Sequence, residues 1–406
     1  LIRNLSASAT IKEIAGQARN DKGESAEMRI LTVFGTRPEA IKMAPLVKAL
    51  QACPWADLKV CITAQHRDML DGVLETFGIV PDFDLDIMTV NQTLAGITTK
   101  ALNGLVDVMA DFKPSLVLAH GDTTTTMAAS LAAFYSGASL GHVEAGLRTY
   151  DKHAPFPEEV NRRIAGVIAD IHFAPTAAAK DNLLAENTPE ATIFVTGNTA
   201  IDAIGSFVRD DYTFKEDALN KLDLKDKKVI TMTAHRRENY GEPLENICHA
   251  VVNIVRDFDD VLVVYPVHPS PVVKETAEGI LGGKKGIHLI NPLDIEDMHN
   301  LIARSYMVLT DSGGLQEEAP HHNVPVVVLR ETTERPEGLV AGCLTLAGNE
   351  RATIYDAVSK LLQDKETHSN MCNAKNPFGD GLASHRIVQA IEYHFGLTKV
   401  KPKEFL

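Results

Sequence analysis

The sequence predicts an α/β protein built from two Rossmann-like, doubly wound parallel-sheet domains facing across a cleft. Three observations lead there. Short apolar runs alternate with helix-length amphipathic segments, the signature of a parallel doubly wound sheet. That alternation fills the first half, lapses over the charged stretch 210–228, and then restarts. At 406 residues the chain also exceeds the roughly 250–300 residues at which single cores stop growing. The expected division is residues 28–200, completed by a C-terminal helix at about 382–396, and residues 201–381. Residues 1–27 are expected to be a leader or an added segment with Met28 as the start, because they lack an apolar signal core and a strong strand, RILTVF, follows directly.

Taken in order, Arg29–Phe34 reads as a buried strand, followed by Gly35-Thr36-Arg37-Pro38-Glu39 and a helix over Ala40–Leu50. Pro45 removes a helix donor, so this helix should kink there or start late. Strands are expected at Leu58–Thr63, Ser115–Ala119, Ser139–Val143, Ile171–Ala174 and Thr192–Thr196, with helices at Asp68–Phe77, Asn91–Asp111 and from Glu158 to Ala169. Pro157 stands where helix starts accept proline, and the run Thr123–Thr126 can cap the helix after it. Asp210–Lys228 carries no strand signal and reads as a linker or surface helix. In the second half, strands are expected at Lys228–Thr233, Val261–Val267, Gly286–Ile290, Tyr306–Thr310 and Val324–Leu329. Helices at Arg351–Leu362 and Leu382–Phe395 close the chain.

Composition narrows the function. A formal charge of −14 argues against a nucleic-acid partner, which requires a basic face, and gives no reason to expect a membrane surface. No apolar run reaches the length of a membrane span. Five dispersed cysteines without a CxxC pair fit reduced thiols in a cytoplasm rather than a disulfide framework or zinc site. The histidines His120, His142, His321 and His322 lack metal-ligand spacing, so no metal is expected. GTRPE replaces GxGxxG after the first strand, and GKS or GKT is absent, which excludes a nicotinamide fingerprint and a P-loop.

The polar residues gather at strand ends, where open parallel sheets bind ligands. Asp122 follows one strand, Glu144 ends the next, and Glu158 opens a helix, so the three acids are expected to face one cleft. Each has a plain structural alternative: a helix cap for Asp122, and pairing with Arg148 or Arg162 for Glu144 and Glu158. Arg37 and Lys42 put two cations near a helix start, where the dipole disfavours them, and so imply an anion nearby. Asp311-Ser312-Gly313-Gly314 joins a strand to a helix with small residues that let backbone N–H groups approach a phosphate. The second half is therefore the expected nucleotide-binding domain. Glu318, one turn on, suits ribose hydroxyls, and His235 at a strand end beside Arg236 and Arg237 suits an anion or a transferring proton.

Nine segments together resemble a known family. GTRPEAIKMAPL (Gly35–Leu46), TAQHRDML (Thr63–Leu70), HGDTTTT (His120–Thr126), HVEAGLRT (His142–Thr149), FPEEVNRR (Phe156–Arg163), TGNTAID (Thr196–Asp202), TAHRREN (Thr233–Asn239), TDSGGLQEEAP (Thr310–Pro320) and TTERPEG (Thr332–Gly338) are similar to the non-hydrolysing UDP-N-acetylglucosamine 2-epimerases, in order and nearly colinear from Met28 to the final helix. The resemblance implies the two-domain GT-B fold and a cytoplasmic homodimer acting on UDP-GlcNAc, UDP-ManNAc and UDP without a cofactor. It implies nucleotide-sugar contacts from Arg37, Lys42, His235, Ser312, Gly313, Gly314, Glu318 and Arg335, with Asp122, Glu144 and Glu158 as essential acids and His235 grouped with the catalytic set. Gln65, His66, Arg236 and His268 resemble residues that bind a second, regulatory substrate molecule in some members. Met298 stands where an aromatic is common on the uracil side.

The implied chemistry explains the residue types. The C2 proton of a 2-acetamido sugar lacks an adjacent carbonyl, so inversion proceeds by eliminating UDP to a 2-acetamidoglucal and re-adding it. That route needs a base, a proton donor and cations for the departing diphosphate. A GT-B glycosyltransferase, a hydrolysing epimerase releasing free ManNAc, and a nucleotide-sugar sensor without turnover are the alternatives.

Overall fold

Each sheet is built from strands that alternate their apolar side chains between two helix-covered faces. The computed structural model describes residues 27–64, 67–88, 92–153, 155–205 and 207–405. The leader expected at 1–27 therefore lies, except for its last residue, outside the described residues. Two compact units result: the first runs to Ala203 and resumes at Gly379, and the second is Ile204–Phe378.

In the first unit, strands β1 (Met28–Phe34), β2 (Ala56–Ile62), β3 (Phe83–Asp84), β4 (Leu116–His120), β5 (Ser139–Val143), β6 (Ile171–Ala174) and β7 (Ile193–Val195) alternate with helices. The helices are α1 (Arg37–Gln51), α2 (Arg67–Phe77), α3 (Leu94–Phe112), α4 (Thr124–Ser136), α5 (Glu158–Ile168), α6 (Ala177–Ala185) and α7 (Thr199–Gly205). The strands form one parallel sheet in the order β3-β2-β1-β4-β5-β6-β7. Because side chains alternate along a strand, Ile30 and Phe34 enter one core cluster with Leu116, Leu118 and Ile387, while Leu31 and Val33 enter another with Val117 and Leu105.

Two expectations need correction. Helix α1 does not start late: it begins at Arg37 and runs through Pro45. A capping box secures its start, with Thr36 accepting from Glu39 N and Glu39 accepting from Thr36 N at 2.8 Å. Burial of Ala40, Met43, Ala44, Leu46, Val47 and Leu50 outweighs the donor lost at Pro45. The stretch 210–228 is likewise more than a linker. It contains the short helix α8 (Asp217–Asn220), and Phe214 and Leu219 are buried against Val229, Leu262 and Val264 of the second sheet.

The second unit continues with β8 (Lys228–Thr233), α9 (Glu242–Asp257), β9 (Val261–Pro266), α10 (Pro271–Leu281), β10 (Ile287–Ile290), α11 (Ile295–Ala303), β11 (Met307–Thr310), α12 (Gly313–Glu318) and β12 (Val326–Val328). It closes with α13 (Pro336–Ala341), β13 (Leu344–Leu346), α14 (Arg351–Gln363) and α15 (Lys365–Cys372). The strands pair in parallel in the order β10-β9-β8-β11-β12-β13. Both orders reverse direction once, at β1/β4 and at β8/β11. Those reversals are the topological switch points where such sheets bind ligands.

The final helix, α16 (Ala383–His394), returns to the first unit, where Ile387 and Ile391 are fully buried. Asp202 holds its start by accepting from Ala383 N at 3.0 Å and Ser384 N at 2.6 Å. Trp55, the single tryptophan, donates its indole N–H to Glu392 Oε1 of this helix at 2.9 Å. Tryptophan fluorescence, excited selectively, therefore originates in the first unit alone. Ile387→Ala is expected to remove about 2–5 kcal/mol of packing and cavity energy, read as a lower urea midpoint in the Trp55 signal.

Candidate active site

In the first unit, the site is built on the loops after β1, β4 and β5. Glu39 is buried and gathers the first two loops: it accepts from Gly35 N at 3.0 Å, Thr36 N at 2.8 Å and the Thr123 hydroxyl at 2.7 Å. Thr126 donates its hydroxyl to His120 O at 2.5 Å. Gly35 is required in this contact, since an added Cβ would lie 2.0 Å from Thr63 Oγ1 and 2.5 Å from Thr125 Oγ1. Thr123, rather than Asp122, caps α4 by accepting from Thr126 N at 3.1 Å.

The three predicted acids sit at the carboxyl ends of neighbouring strands and the start of α5. Glu144 follows β5 in the left-handed region at φ 61°, an uncommon conformation for a residue with a Cβ. Its carboxylate contacts Lys42 Nζ, and His120 Nε2 lies 3.5 Å away. Burial opposes ionisation of Glu144, yet Lys42 and His120 together outweigh it and hold the carboxyl well below the usual range. Asp122 pairs with Arg162, whose other terminal nitrogen approaches Glu159 Oε2 at 3.4 Å. Glu158 is half-buried and makes no hydrogen bond or ion pair among the described residues. Arg37, also half-buried, has no partner among the described residues either.

Neither structural alternative holds for Glu144 or Glu158. Arg148 instead forms a bidentate pair with Glu186 at 2.9 and 2.8 Å, and Arg162 serves Asp122 and Glu159. Buried Glu159 also accepts from Thr149 N and Tyr150 N, both at 3.1 Å, fixing the loop after Glu144. His142 donates its Nε2–H to Gly121 O at 2.7 Å, and burial, despite that bond, pushes its pKa down to about 3, so it is a neutral structural residue.

The second unit carries the other cluster, on the loops after β8 and β11. Asp311 is fully buried, and its Oδ2 accepts from His235 N and Arg236 N, each at 2.8 Å, and from Asn239 Nδ2 at 3.0 Å. His235 Nδ1 lies 3.3 Å from Asp311 Oδ1, and its ring stacks on His268 at 5.4 Å and 12°. Burial lowers the pKa of His235 and, with His268 and Arg236, outweighs the pull of Asp311, leaving the imidazole neutral near pH 7. Ser312 N donates to Thr310 Oγ1 at 2.9 Å, setting the turn into α12.

At Gly313 two guanidinium groups converge: a Cβ there would lie 3.4 Å from Arg236 Nη2 and 3.7 Å from Arg335 Nη2. Arg335 is held through Nε by Glu317. At Gly314 a Cβ would come within 3.1 Å of Glu318 Oε1, and Glu318 Oε2 lies 3.4 Å from His299 Nε2.

The structure thus brings Lys42 and His120 to Glu144 and Arg162 to Asp122 in the first unit, with Glu158 opening α5 one residue before Glu159, and gathers His235, Arg236, His268, Ser312, Gly313, Gly314, Glu318 and Arg335 in the second. Gln65 and His66 lie outside the described residues. Sequence reasoning missed Glu39, Glu159, Arg162, Asp311 as a hub, and His299. Glu39 alone had a local signal, the Thr36-x-x-Glu39 capping pattern. Among the described residues no cluster of His, Cys, Asp or Glu is arranged to hold a metal ion.

Two parallel α/β units, each with its polar residues beside the switch point of its own sheet, define a two-domain protein of the GT-B type. The sequence model for UDP-N-acetylglucosamine 2-epimerase matches residues 48–392. The chain belongs to that family of isomerases. It is 55% identical to the UDP-N-acetylglucosamine 2-epimerase of Bacillus subtilis strain 168 over 379 residues, covering 93% of this chain and 99% of the relative. The S. aureus MnaA–UDP co-structure is 50% identical with a TM-score of 0.83, covering 93% of this chain and 100% of that one. The Neisseria meningitidis UDP-GlcNAc 2-epimerase bound to UDP-GlcNAc is 46% identical with a TM-score of 0.78, covering 90% and 99%.

The Lys42–Glu144 pair sets a pH signature. Because the folded pKa of Glu144 is depressed, its contribution to stability is present above the unfolded value and lost as pH falls through the folded one. In Lys42→Met, burial acts against only His120, so the Glu144 pKa rises. The variant is expected to lose about 3 kcal/mol at pH 7 and to regain part of it as pH falls and Glu144 takes up a proton. Urea denaturation followed by Trp55 fluorescence across pH 5–8 measures this.

Proposed function

We propose that the protein interconverts UDP-GlcNAc and UDP-ManNAc by eliminating UDP across C1–C2 to a 2-acetamidoglucal, then returning a proton to the opposite face of C2 as UDP re-adds at C1. The observation that carries this reading is the set of three acids at one end of the first sheet, two cation-bound and the third unpartnered among the described residues. Glu144 begins ionised and able to accept a proton. Glu158, with no competing partner there, is free to exchange one. Lys42 serves both Glu144 and the departing diphosphate in this scheme. As the phosphate draws that charge, the proton affinity of Glu144 rises, coupling C1–O cleavage to C2 deprotonation. Asp122, fixed by Arg162, completes the set.

The nucleotide falls to the second unit in this reading. Arg335 and Arg236 supply charge to the diphosphate above Ser312, Gly313 and Gly314, Glu318 accepts from the ribose hydroxyls, and Arg37 adds a further cation. Neutral His235 donates to the phosphate or hexose. Met298 flanks the uracil. His268, stacked on His235, is assigned to contact with a second, regulatory substrate molecule. Two relatives whose structures hold UDP or UDP-GlcNAc support the class of ligand. A cytoplasmic homodimer is part of the proposal, and sedimentation equilibrium checks its oligomeric state.

Incubation with UDP-GlcNAc in heavy water, without added NAD or metal, is expected to yield UDP-ManNAc carrying deuterium at C2. Epimerised product unlabelled at C2 would exclude elimination, and free ManNAc as main product would assign the hydrolysing reaction. Asp122→Asn, Glu144→Gln and Glu158→Gln should each bind UDP yet lose roughly 10²–10⁴-fold in exchange rate, measured beside thermal melts and UDP titrations.

Gly313→Val and Arg37→Ala test the phosphate grip. A Cβ at Gly313 has only ordinary contacts, so the fold should persist, while a branched side chain obstructs the space under Arg236 and Arg335. Arg37→Ala is expected to lose roughly 1.5–3 kcal/mol of UDP affinity by calorimetry. Unchanged UDP binding in both variants would move the nucleotide elsewhere.

A further inference from the structure

One buried histidine of the second unit, His299, bears directly on Glu318. Its side chain is 2% exposed, whereas Glu318 is 23% exposed and open to a ligand. The ring of His299 stacks on Phe207 at 6.2 Å and 16° and meets His322 at 5.6 Å and 54°. The next residue along α11, Asn300, pins this arrangement: its Nδ2 donates to Phe207 O at 2.9 Å and its Oδ1 accepts from Arg209 N at 3.2 Å. Asp297, two residues before His299, accepts from Lys215 N and Glu216 N at 2.9 and 2.8 Å. The ring is therefore fixed by packing and by its neighbours' backbone contacts.

We propose that His299 is a positioning residue for substrate recognition, donating its Nε2–H to Glu318 Oε2 and so presenting the carboxylate to the ribose hydroxyls. This extends the ribose reading of Glu318 given above and rests on it. A carboxylate is acceptor-only, so a ring nitrogen 3.4 Å from it carries the proton; the other tautomer sets two lone pairs against each other. Consistent with that tautomer, Nδ1 is buried without a hydrogen-bond partner.

Burial, with His322 and His321 beside it, pushes the pKa of His299 down to about 3, so the donor is a neutral imidazole over the working pH range. The second oxygen, Oε1, lies over Gly314, where a side chain would crowd it. Glu318 is thereby held at Oε2 before any ligand arrives, while the missing side chain at Gly314 leaves room for Oε1. Preorganising a flexible carboxylate reduces the ordering cost that binding otherwise carries.

The test compares binding of UDP and 2′,3′-dideoxy-UDP to the full chain and its variants. Wild type should favour UDP by roughly tenfold or more, the worth of hydrogen bonds to a charged acceptor. Glu318→Gln should shrink that ratio, and His299→Phe should shrink it comparably while binding dideoxy-UDP as wild type does. His299→Gln, whose amide reaches the Nε2 position, should restore most of the ratio. A His299→Phe protein that keeps the wild-type ratio, with only a lower melting temperature, overturns the proposal and leaves His299 as packing. A Glu318→Gln protein that keeps the ratio overturns the ribose reading and this proposal with it. Nitrogen-15 NMR of the intact wild-type imidazole gives a variant-free check, in which the Nδ1–H tautomer of His299 would overturn the proposal.

Discussion

A buried carboxylate at each topological switch point ties the loop after the first strand to the loop after the fourth, and the site geometry in both units hangs on that bond. In the first unit Glu39 reaches from the β1 loop, capping two backbone N–H groups and receiving the Thr123 hydroxyl from the β4 loop. In the second unit the direction is reversed: Asp311 sits in the β11 loop and accepts from His235 N and Arg236 N of the β8 loop. Charge-assisted bonds to backbone N–H groups are among the stronger ones available to a folded chain. They also cost the least side-chain freedom, because the donors are already part of the main chain. Loops held this way keep His235 and Arg236 at defined positions although they lack regular structure, and they fix the start of α1, which carries Arg37 and Lys42.

The electrostatics follow from local pairing rather than from net charge. A formal −14 describes the whole chain, yet each cluster places cations beside its acids or its small residues. Lys42 and Arg162 each meet an acid in the first unit, and Lys42 with His120 keeps Glu144 ionised despite burial. In the second, Arg236 and Arg335 stand over Gly313, with Glu317 holding Arg335 and Glu334 near both. The first arrangement suits proton transfer, the second an anion.

Much of the scaffold was legible in the sequence because parallel strands are buried on both faces and read as unbroken apolar runs. Ser139–Val143, Ile171–Ala174 and Lys228–Thr233 match their expected bounds. β3 escaped notice because two residues carry no periodicity, and β13 because Thr345 and Leu346 stay partly exposed. The segment 210–228 misled because Phe214 and Leu219 are isolated apolar residues among charges, and their burial depends on a sheet formed later in the chain. At the site, residues at strand ends could be found from position alone. Their partners could not: Asp122 meets Arg162 across 40 residues and Glu144 meets Lys42 across 102, distances at which no local pattern survives.

The return of α16 to the first unit has a bearing on how the chain is made. Synthesis runs from the N-terminus, so the second unit has all of its residues by Phe378, while the first still awaits Ile387, Ile391 and the Glu392 partner of Trp55. The half that starts emerging first is thus the half that must wait longest for its last packing surface. Its hydrophobic face against α1 remains incomplete until the helix clears the ribosome, and for that interval the nascent chain holds one finished domain within an unfinished one.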